Sequence, residues 1–185
     1  MKKIIILSSS PRRNGNTDTL SSKIAISLGK KGVETETVRL NDIQLRGCQS
    51  CYACKKQDNC ILKDDGPELL DKIKSADAVV FATPVFMWDM TAQLKTLVDR
   101  FFTYMNMDYS SKLPADKKFC FVVSQGQADE AQFAARFDTI QKTLQFLGFG
   151  PTNSLIVGGC MDKDSIAKRE GIDARLDELT AWLVN

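Results

Sequence analysis

Four of the chain's six cysteines fall within Gly47-Cys48-Gln49-Ser50-Cys51-Tyr52-Ala53-Cys54-Lys55-Lys56-Gln57-Asp58-Asn59-Cys60, spaced C-x2-C-x2-C-x5-C. Thiolates serve as metal ligands and redox groups, and this density exceeds what packing asks of a chain of 185 residues. Three chemistries compete. Structural zinc ordinarily takes two separated ligand pairs, a layout that the close triple lacks. A disulfide or thiol switch uses two cysteines and leaves two without a role. The triple is also a spacing of cubane iron-sulfur clusters, in which a tight loop wraps three corners, and Cys60 is placed to supply the fourth. Cys48, Cys51, Cys54 and Cys60 are therefore candidate ligands of a [4Fe-4S] cluster, with zinc, a disulfide or unligated thiols as the alternatives. Cys120 and Cys160 lie in or beside apolar strands and read as small buried residues.

A second stretch with chemistry in it is Ser8-Ser9-Ser10-Pro11-Arg12-Arg13-Asn14-Gly15-Asn16-Thr17. It converges hydroxyls, backbone amides, two arginines and a helix start on one point, which suits a phosphate dianion and also suits an ordinary Ser/Asn capping loop. It matches neither G-x-G-x-x-G nor G-x-x-x-x-G-K-[ST], which argues against a dinucleotide fingerprint and a P-loop. The chain has no histidine. Histidine general bases, Ser-His-Asp triads and mixed Cys/His zinc sites are thereby excluded, no side chain is assigned as a nucleophile, and a cofactor is expected to carry the chemistry.

The elements that must position these loops follow from hydrophobic periodicity. Lys3 to Ser8 reads as a buried strand, Thr17 to Lys31 as a helix stopping at Gly32, and Val33 to Leu40 as a more exposed strand. Asp65 is expected to cap a helix through Leu69, Leu70 and Ile73, with Pro67 in its first turn and Glu68 reaching back. Asp77 to Thr83 is an apolar central strand ended by Pro84, and Phe86 to Met90 is a loop unusually rich in large apolar side chains. Gln93 to Met105 predicts an amphipathic helix, Lys117 to Ser124 a strand, Glu130 to Leu147 a helix, Thr152 to Gly158 a strand and Asp164 to Val184 a closing helix. Strand and helix alternate throughout, so the expected fold class is α/β: a doubly wound, five-stranded parallel sheet with helices on both faces, in a single domain spanning residues 1–185. The cysteine-rich segment at about 42–64 is an insertion in it, long for a βα connection. Ligands of such sheets bind where the strands end.

Charge is nearly balanced, with 25 basic and 23 acidic residues mixed along the chain, and makes no case for nucleic acid or a membrane surface. The apolar run after Lys2-Lys3 is too short for a signal peptide, and no run is long enough to span a bilayer. A cytoplasmic location is expected, where thiols stay reduced.

Ser10-Pro11-Arg12 with Asn16-Thr17, then Thr83-Pro84-Val85-Phe86, then Leu94-Lys95-x-x-Val98-Asp99-Arg100, resembles the flavodoxin-like NAD(P)H-dependent FMN oxidoreductases, and the cysteine spacing resembles their iron-sulfur flavoprotein branch. That resemblance implies FMN, a strand order of 2-1-3-4-5, NAD(P)H or a ferredoxin-like carrier as electron donor, a small-molecule acceptor such as a quinone or flavin, and a homodimer or homotetramer. It assigns the FMN phosphate to Ser10, Arg12, Asn16 and Thr17, with Ser8 nearby. Pro84, Val85, Phe86, Met87 and Trp88 would line the ring, and Ser124, Gln125 and Gly126 would meet it from the next loop. The run Val-Phe-Met-Trp-Asp after Pro84 departs from the smaller residues of many relatives and bears on which acceptors fit.

Overall fold

The structure, a computed structural model, describes residues 2–185. Five strands, β1 (Lys3–Ser8), β2 (Glu34–Arg39), β3 (Ala78–Pro84), β4 (Lys118–Ser124) and β5 (Thr152–Val157), form one sheet in the order β2-β1-β3-β4-β5. Every neighbouring pair is parallel. Successive side chains of a strand point to opposite faces, and β1 shows the consequence. Ile5 and Leu7 enter one core, and Ile4 and Ile6 enter the other. Both faces are covered, which is why β1, β3 and β4 are apolar throughout, whereas the edge strand β2 alternates and stays half exposed.

The helices are α1 (Asn16–Lys30), α2 (Gly66–Ser75), α3 (Ala92–Arg100), α4 (Ala134–Phe146) and α5 (Ile172–Val184). α1 and α5 cover one face through Leu20, Ile24, Leu176 and Leu179. α2, α3 and α4 cover the other through Leu69, Ile73, Leu94, Leu97, Phe137 and Ile140. On that second face Phe81, Phe101, Phe119, Phe121 and Phe149 form a contiguous ring cluster, with centroids 5.2–6.2 Å apart along its chain of contacts.

Several boundaries differ from expectation for physical reasons. The helix expected over Gln93 to Met105 is α-helical through Arg100 and tightens into a 3-10 turn over Phe101–Tyr104. α4 begins at Ala134 rather than Glu130, because Glu130 is drawn out to Arg175 and to the Gly158 amide. α5 begins at Ile172 rather than Asp164, behind Gly171 at φ 73°, a left-handed conformation that glycine adopts without strain. Asp65 does not cap α2 with its side chain, and Glu68 pairs forward with Lys72 instead of reaching back. Both aspartates hold the loop before α2, and Asp64 also accepts the first amide of the helix in place of the expected Asp65 cap. Asp65 accepts the Gln44 amide at 2.7 Å, and Asp64 accepts those of Arg46 at 2.8 Å and Gly66 at 3.0 Å. These bonds close the base of the cysteine-rich loop, whose interior holds one 3-10 turn, Ala53–Lys55.

Candidate functional site

β1, β3 and β4 deliver their carboxyl ends to one edge, and the order β2-β1-β3 makes the gap between β1 and β3 the point where the chain reverses direction across the sheet. The loop after β1 is pinned there from several sides. Ser9, fully buried, bonds the Ala82 carbonyl through its amide at 2.9 Å and its hydroxyl at 3.0 Å, and Thr91 donates to the Ser9 carbonyl at 3.2 Å. Ser10 Oγ accepts the Arg12 amide at 3.2 Å. α1 has no side-chain N-cap, since Gly15 occupies that position, and its first-turn amides have no carbonyl one turn back to bond. A helix start left this way presents donors and a positive dipole end to an anion.

An acid in that first turn, Asp18, would oppose an anion, and the structure removes its effect. Asp18 accepts Ser8 Oγ and the Asn14 amide, both at 2.9 Å, and forms an ion pair with Arg39 at the end of β2. Arg39 also reaches Asp42 at 3.2 Å and the Ser10 carbonyl at 3.4 Å. This arginine escaped the sequence reading, although the parallel register that sets Ser8 beside Arg39 places it at the loop. Arg13 turns away to Asp42 at 2.9 Å, which leaves Arg12 as the guanidinium at the cleft.

Ser10, Arg12, Asn16, Thr17, Pro84, Val85, Phe86, Ser124, Gln125 and Gly126 all line one cleft of about 170 Å³ at this edge. Thr17 and Ser124 join hydroxyls at 2.9 Å across it. Asn16 contributes differently from the expectation, because its side chain is spent on the fold. Its amide donates to the carbonyls of Cys160 at 3.3 Å and Asp162 at 2.7 Å and accepts the Ile166 amide at 2.9 Å. Ser8 is buried against Asp18 and does not reach the cleft. Gln125 is held by carbonyls of Asp129 and Gln127, yet its Oε1 is buried without a partner. A buried acceptor without a donor is costly unless a ligand supplies one. Cys160 and Met161 also line the cleft, so Cys160, half buried and packed against the core as expected, is a wall residue as well. Burial raises its thiol pKa. Both were missed because the sequence shows only an apolar strand end followed by Gly158-Gly159. Met161 stands over Gly126, where an added Cβ would lie 2.6 Å from its sulfur.

Phe86 to Asp89 form a two-residue reverse turn, with Phe86 and Asp89 exchanging amide bonds of 2.9 and 3.0 Å. Its central residues Met87 and Trp88 both have positive φ, 45° and 64°, where Asn-Gly is the usual pair. They project outward, 83% and 66% exposed, and do not line the cleft. An ion pair from Asp89 to Arg136 on α4 anchors the turn.

The second cavity lies on the face covered by α2 and α3. Cys48, Cys51, Cys54 and Cys60 all line it, together with Tyr52, Arg100 and Phe102, in about 20 Å³. All four are free thiols, Cys48 and Cys51 exposed, Cys54 and Cys60 half buried. Among the described residues no group of three or more cysteine, aspartate or glutamate side chains is drawn close enough to hold a metal ion. Ser50 and Tyr52 take positive φ, 51° and 56°, which turns the chain back on itself between Cys48 and Cys54. Two cations flank the thiols. Lys55 lies near Cys54 and Cys48 and donates to the carbonyls of Phe102 and Met105; burial lowers its pKa, though the thiols oppose this. Arg100, wholly buried, gives both carboxylate oxygens of Asp64 bonds of 2.7 Å while Nε and Nη2 lack partners. Burial disfavours its charge, but Asp64 and the neighbouring Cys60 sulfur more than offset this and raise its pKa. The four thiols supply the donor types of a four-thiolate centre, but they are not gathered on one point, and the Arg100 charge beside them is matched by Asp64. Cys120 is fully buried in β4, and burial pushes its thiol far up.

Comparison with known proteins gives a family and a fold. The family described as NADPH-dependent FMN reductase matches residues 2–152. The chain is 40% identical over 98 residues to the iron-sulfur flavoprotein MJ1083 of Methanocaldococcus jannaschii, covering 53% of this chain and 51% of that protein. It is 37% identical over 98 residues to the iron-sulfur flavoprotein of Methanosarcina thermophila, with the same two coverages of 53% and 51%. The chain thus spans about half the length of the curated relatives it matches. Among solved structures, the NAD(P)H:quinone oxidoreductase from Methanothermobacter marburgensis superposes with a TM-score of 0.76 at 20% identity, covering 97% of each chain. An FMN-dependent NADH-azoreductase from Bacillus anthracis superposes at 0.73 and 13% identity over 100% of each chain. These two likenesses bear on the fold. No helix among the described residues is long and apolar enough to cross a membrane.

Proposed function

The chain belongs to the NADPH-dependent FMN reductase family, and from that premise we propose that it is an FMN-dependent oxidoreductase that takes electrons from NAD(P)H or a ferredoxin-like carrier and passes them to a small acceptor such as a quinone or flavin. The observation that carries the reading is the cleft between the ends of β1, β3 and β4, which gathers an anion loop, apolar cover and an unpartnered buried acceptor at one switch point. Arg12, Ser10, Thr17 and the first-turn amides of α1 would hold the phosphate, with Asn16 serving through its backbone. Gln125 Oε1 is placed to accept a hydrogen bond from the bound ring, and Pro84, Val85 and Phe86 would cover its apolar side. Bound FMN would supply hydride and single-electron chemistry, and the protein orients it and excludes water. Met87, Trp88 and Met161, exposed beside the cleft, are where a second copy would close over it in a homodimer.

In the same reading, Cys48, Cys51, Cys54 and Cys60 hold a [4Fe-4S] cluster that relays single electrons, in a cytoplasmic enzyme where the thiols stay reduced. The spacing, the shared cavity and its cations support this, as do the names of the relatives. The test is protein purified without air, with its absorption spectrum, flavin, iron and zinc measured and NAD(P)H oxidation followed with added quinone. A flavin envelope with about four irons per chain is expected. Arg12→Ala should weaken FMN binding by about tenfold or more, as the loss of a charge-assisted hydrogen bond predicts. A chain that binds no FMN when it is added back would overturn the reading. Zinc in place of iron would remove the relay and leave the flavin site.

A further inference from the structure

Arg39 sits under the anion loop rather than in the cleft. Parallel pairing sets it beside Ser8, the last residue of β1, so its side chain leaves the sheet where that loop begins. There it forms an ion pair with Asp18 in the first turn of α1, the two side chains 17% and 15% exposed. Arg39 Nη2 also reaches the Ser10 carbonyl at 3.4 Å, and its Nε reaches Asp42 at 3.2 Å, which in turn takes Arg13 at 2.9 Å. Arg13, Asp42, Arg39 and Asp18 thus alternate in sign and balance. Among the described residues Arg12 is the loop arginine without an ion pair.

An acid in the first turn steadies a helix start, but it repels an anion bound at the same end. Asp18 is fixed there, since Ser8 Oγ holds one of its oxygens and the Asn14 amide the other, each at 2.9 Å. A compensating charge therefore has to come to it. We propose that Arg39 is the positioning residue that sets the preference of the cleft for a flavin with a phosphate over one without: it cancels the charge of Asp18 and holds the Ser10 carbonyl, so that the loop meets the ligand with the charge of Arg12. The inference rests on the FMN reading above and adds to it a residue that does not line the cleft.

Two variants separate this role from a structural tie. The full chain freed of flavin is titrated with FMN and with riboflavin, and binding is read as quenching of flavin fluorescence. Arg39→Met leaves Asp18 uncompensated and should weaken FMN about tenfold, while riboflavin stays within about twofold of the parent. Adding Asp18→Asn removes both charges and should return FMN to within about threefold of the parent. Equal losses for the two flavins, or unchanged FMN binding in Arg39→Met, overturn the inference and leave Arg39 a structural ion pair. A double variant that still binds FMN about tenfold more weakly overturns it too, and this variant decides alone if Arg39→Met does not fold. A parent chain that binds FMN no more tightly than riboflavin overturns the phosphate reading of the loop and the inference with it, whereas a parent that prefers FMN, with the same preference in Arg39→Met, overturns the inference only.

Discussion

Ser10, Thr17, Ser124 and Gln125 stand at the ends of strands or in the first turn of a helix, each 5% exposed or less, and the sheet fixes their spacing before any ligand arrives. Cys48, Cys51 and Cys54 stand on a loop with one short 3-10 turn, tied to the rest by a pair of aspartates at its base and by Arg100 and Lys55. The carboxyl-edge cleft is a property of the sheet, whereas the cysteine cavity is a property of a few ionic and hydrogen-bonded ties. Preorganisation comes from the backbone in the first and from charge in the second. The two cavities share no lining residue, so each can be perturbed alone.

The largest expected effect lies on the cysteine side. Asp64 is 3% exposed at its side chain, pairs with Arg100, and caps the α2 start through the Gly66 amide. Asp64→Ala leaves a buried guanidinium unpaired and should cost about 3–5 kcal/mol, read as a lower midpoint in urea unfolding. A cost below about 1 kcal/mol, the range of a surface pair, would break the comparison by showing that the loop is held some other way.

This contrast also explains what could be read from the residues alone. The strands and the edge where a ligand binds follow from short apolar runs and the rule that such sheets bind ligands where strands end, which act locally or by topology, whereas the strand order and the grouping of Ser10, Arg12, Thr17, Pro84 and Ser124 came from the family resemblance. Arg39, Cys160 and Met161 were illegible because their roles depend on register and on loops meeting from distant parts of the chain. Asn16 was half legible: its position was right, but its side chain bonds residues 160–166, about 150 positions away. Asp65 and Glu68 formed a capping pattern that tertiary contacts overrode, since Asp65 is worth more closing the loop on Gln44 than capping a helix already capped by Asp64. The late start of α5 follows from Gly171, whose φ no periodicity reports.

A smaller effect is expected at the Met87-Trp88 turn, where backbone preference has been set aside at the cleft's rim. Two bulky residues in left-handed geometry cost about 1–2 kcal/mol each relative to residues suited to it. Replacing Met87-Trp88 with Asn-Gly relieves about 2–4 kcal/mol of strain, less about 0.5–1 kcal/mol for the backbone freedom that glycine loses on folding, and should stabilise the chain by about 1–3 kcal/mol, seen as a higher unfolding temperature, and weaken self-association measured by sedimentation. A stabilised chain with unchanged association would show that the strain serves something other than a contact between copies.

The smallest effect tests the ion pair on the cleft's side, the counterpart of Asp64–Arg100. Arg175 bonds Glu130 at 3.0 and 2.9 Å and the Ile156 carbonyl at 2.9 Å, tying the loop after β4 to β5. Both side chains are 38% exposed, so solvent screens the pair and Glu130→Gln should cost at most about 1 kcal/mol. Burial alone would raise the Glu130 pKa, but Arg175 and the Gly158 amide hold it below the ordinary value of 4.5. A carboxyl with a depressed pKa in the folded state gives stability that is present above pH 4.5 and is lost as pH falls through the lower, folded value. The stability difference between the parent and Glu130→Gln should accordingly be constant at neutral pH and shrink only below pH 4.5. Urea unfolding at a series of pH values reads this directly. A difference that persists unchanged into acid would mean that the tie works through shape, and that the cleft depends on side-chain contacts as much as the cysteine cavity does.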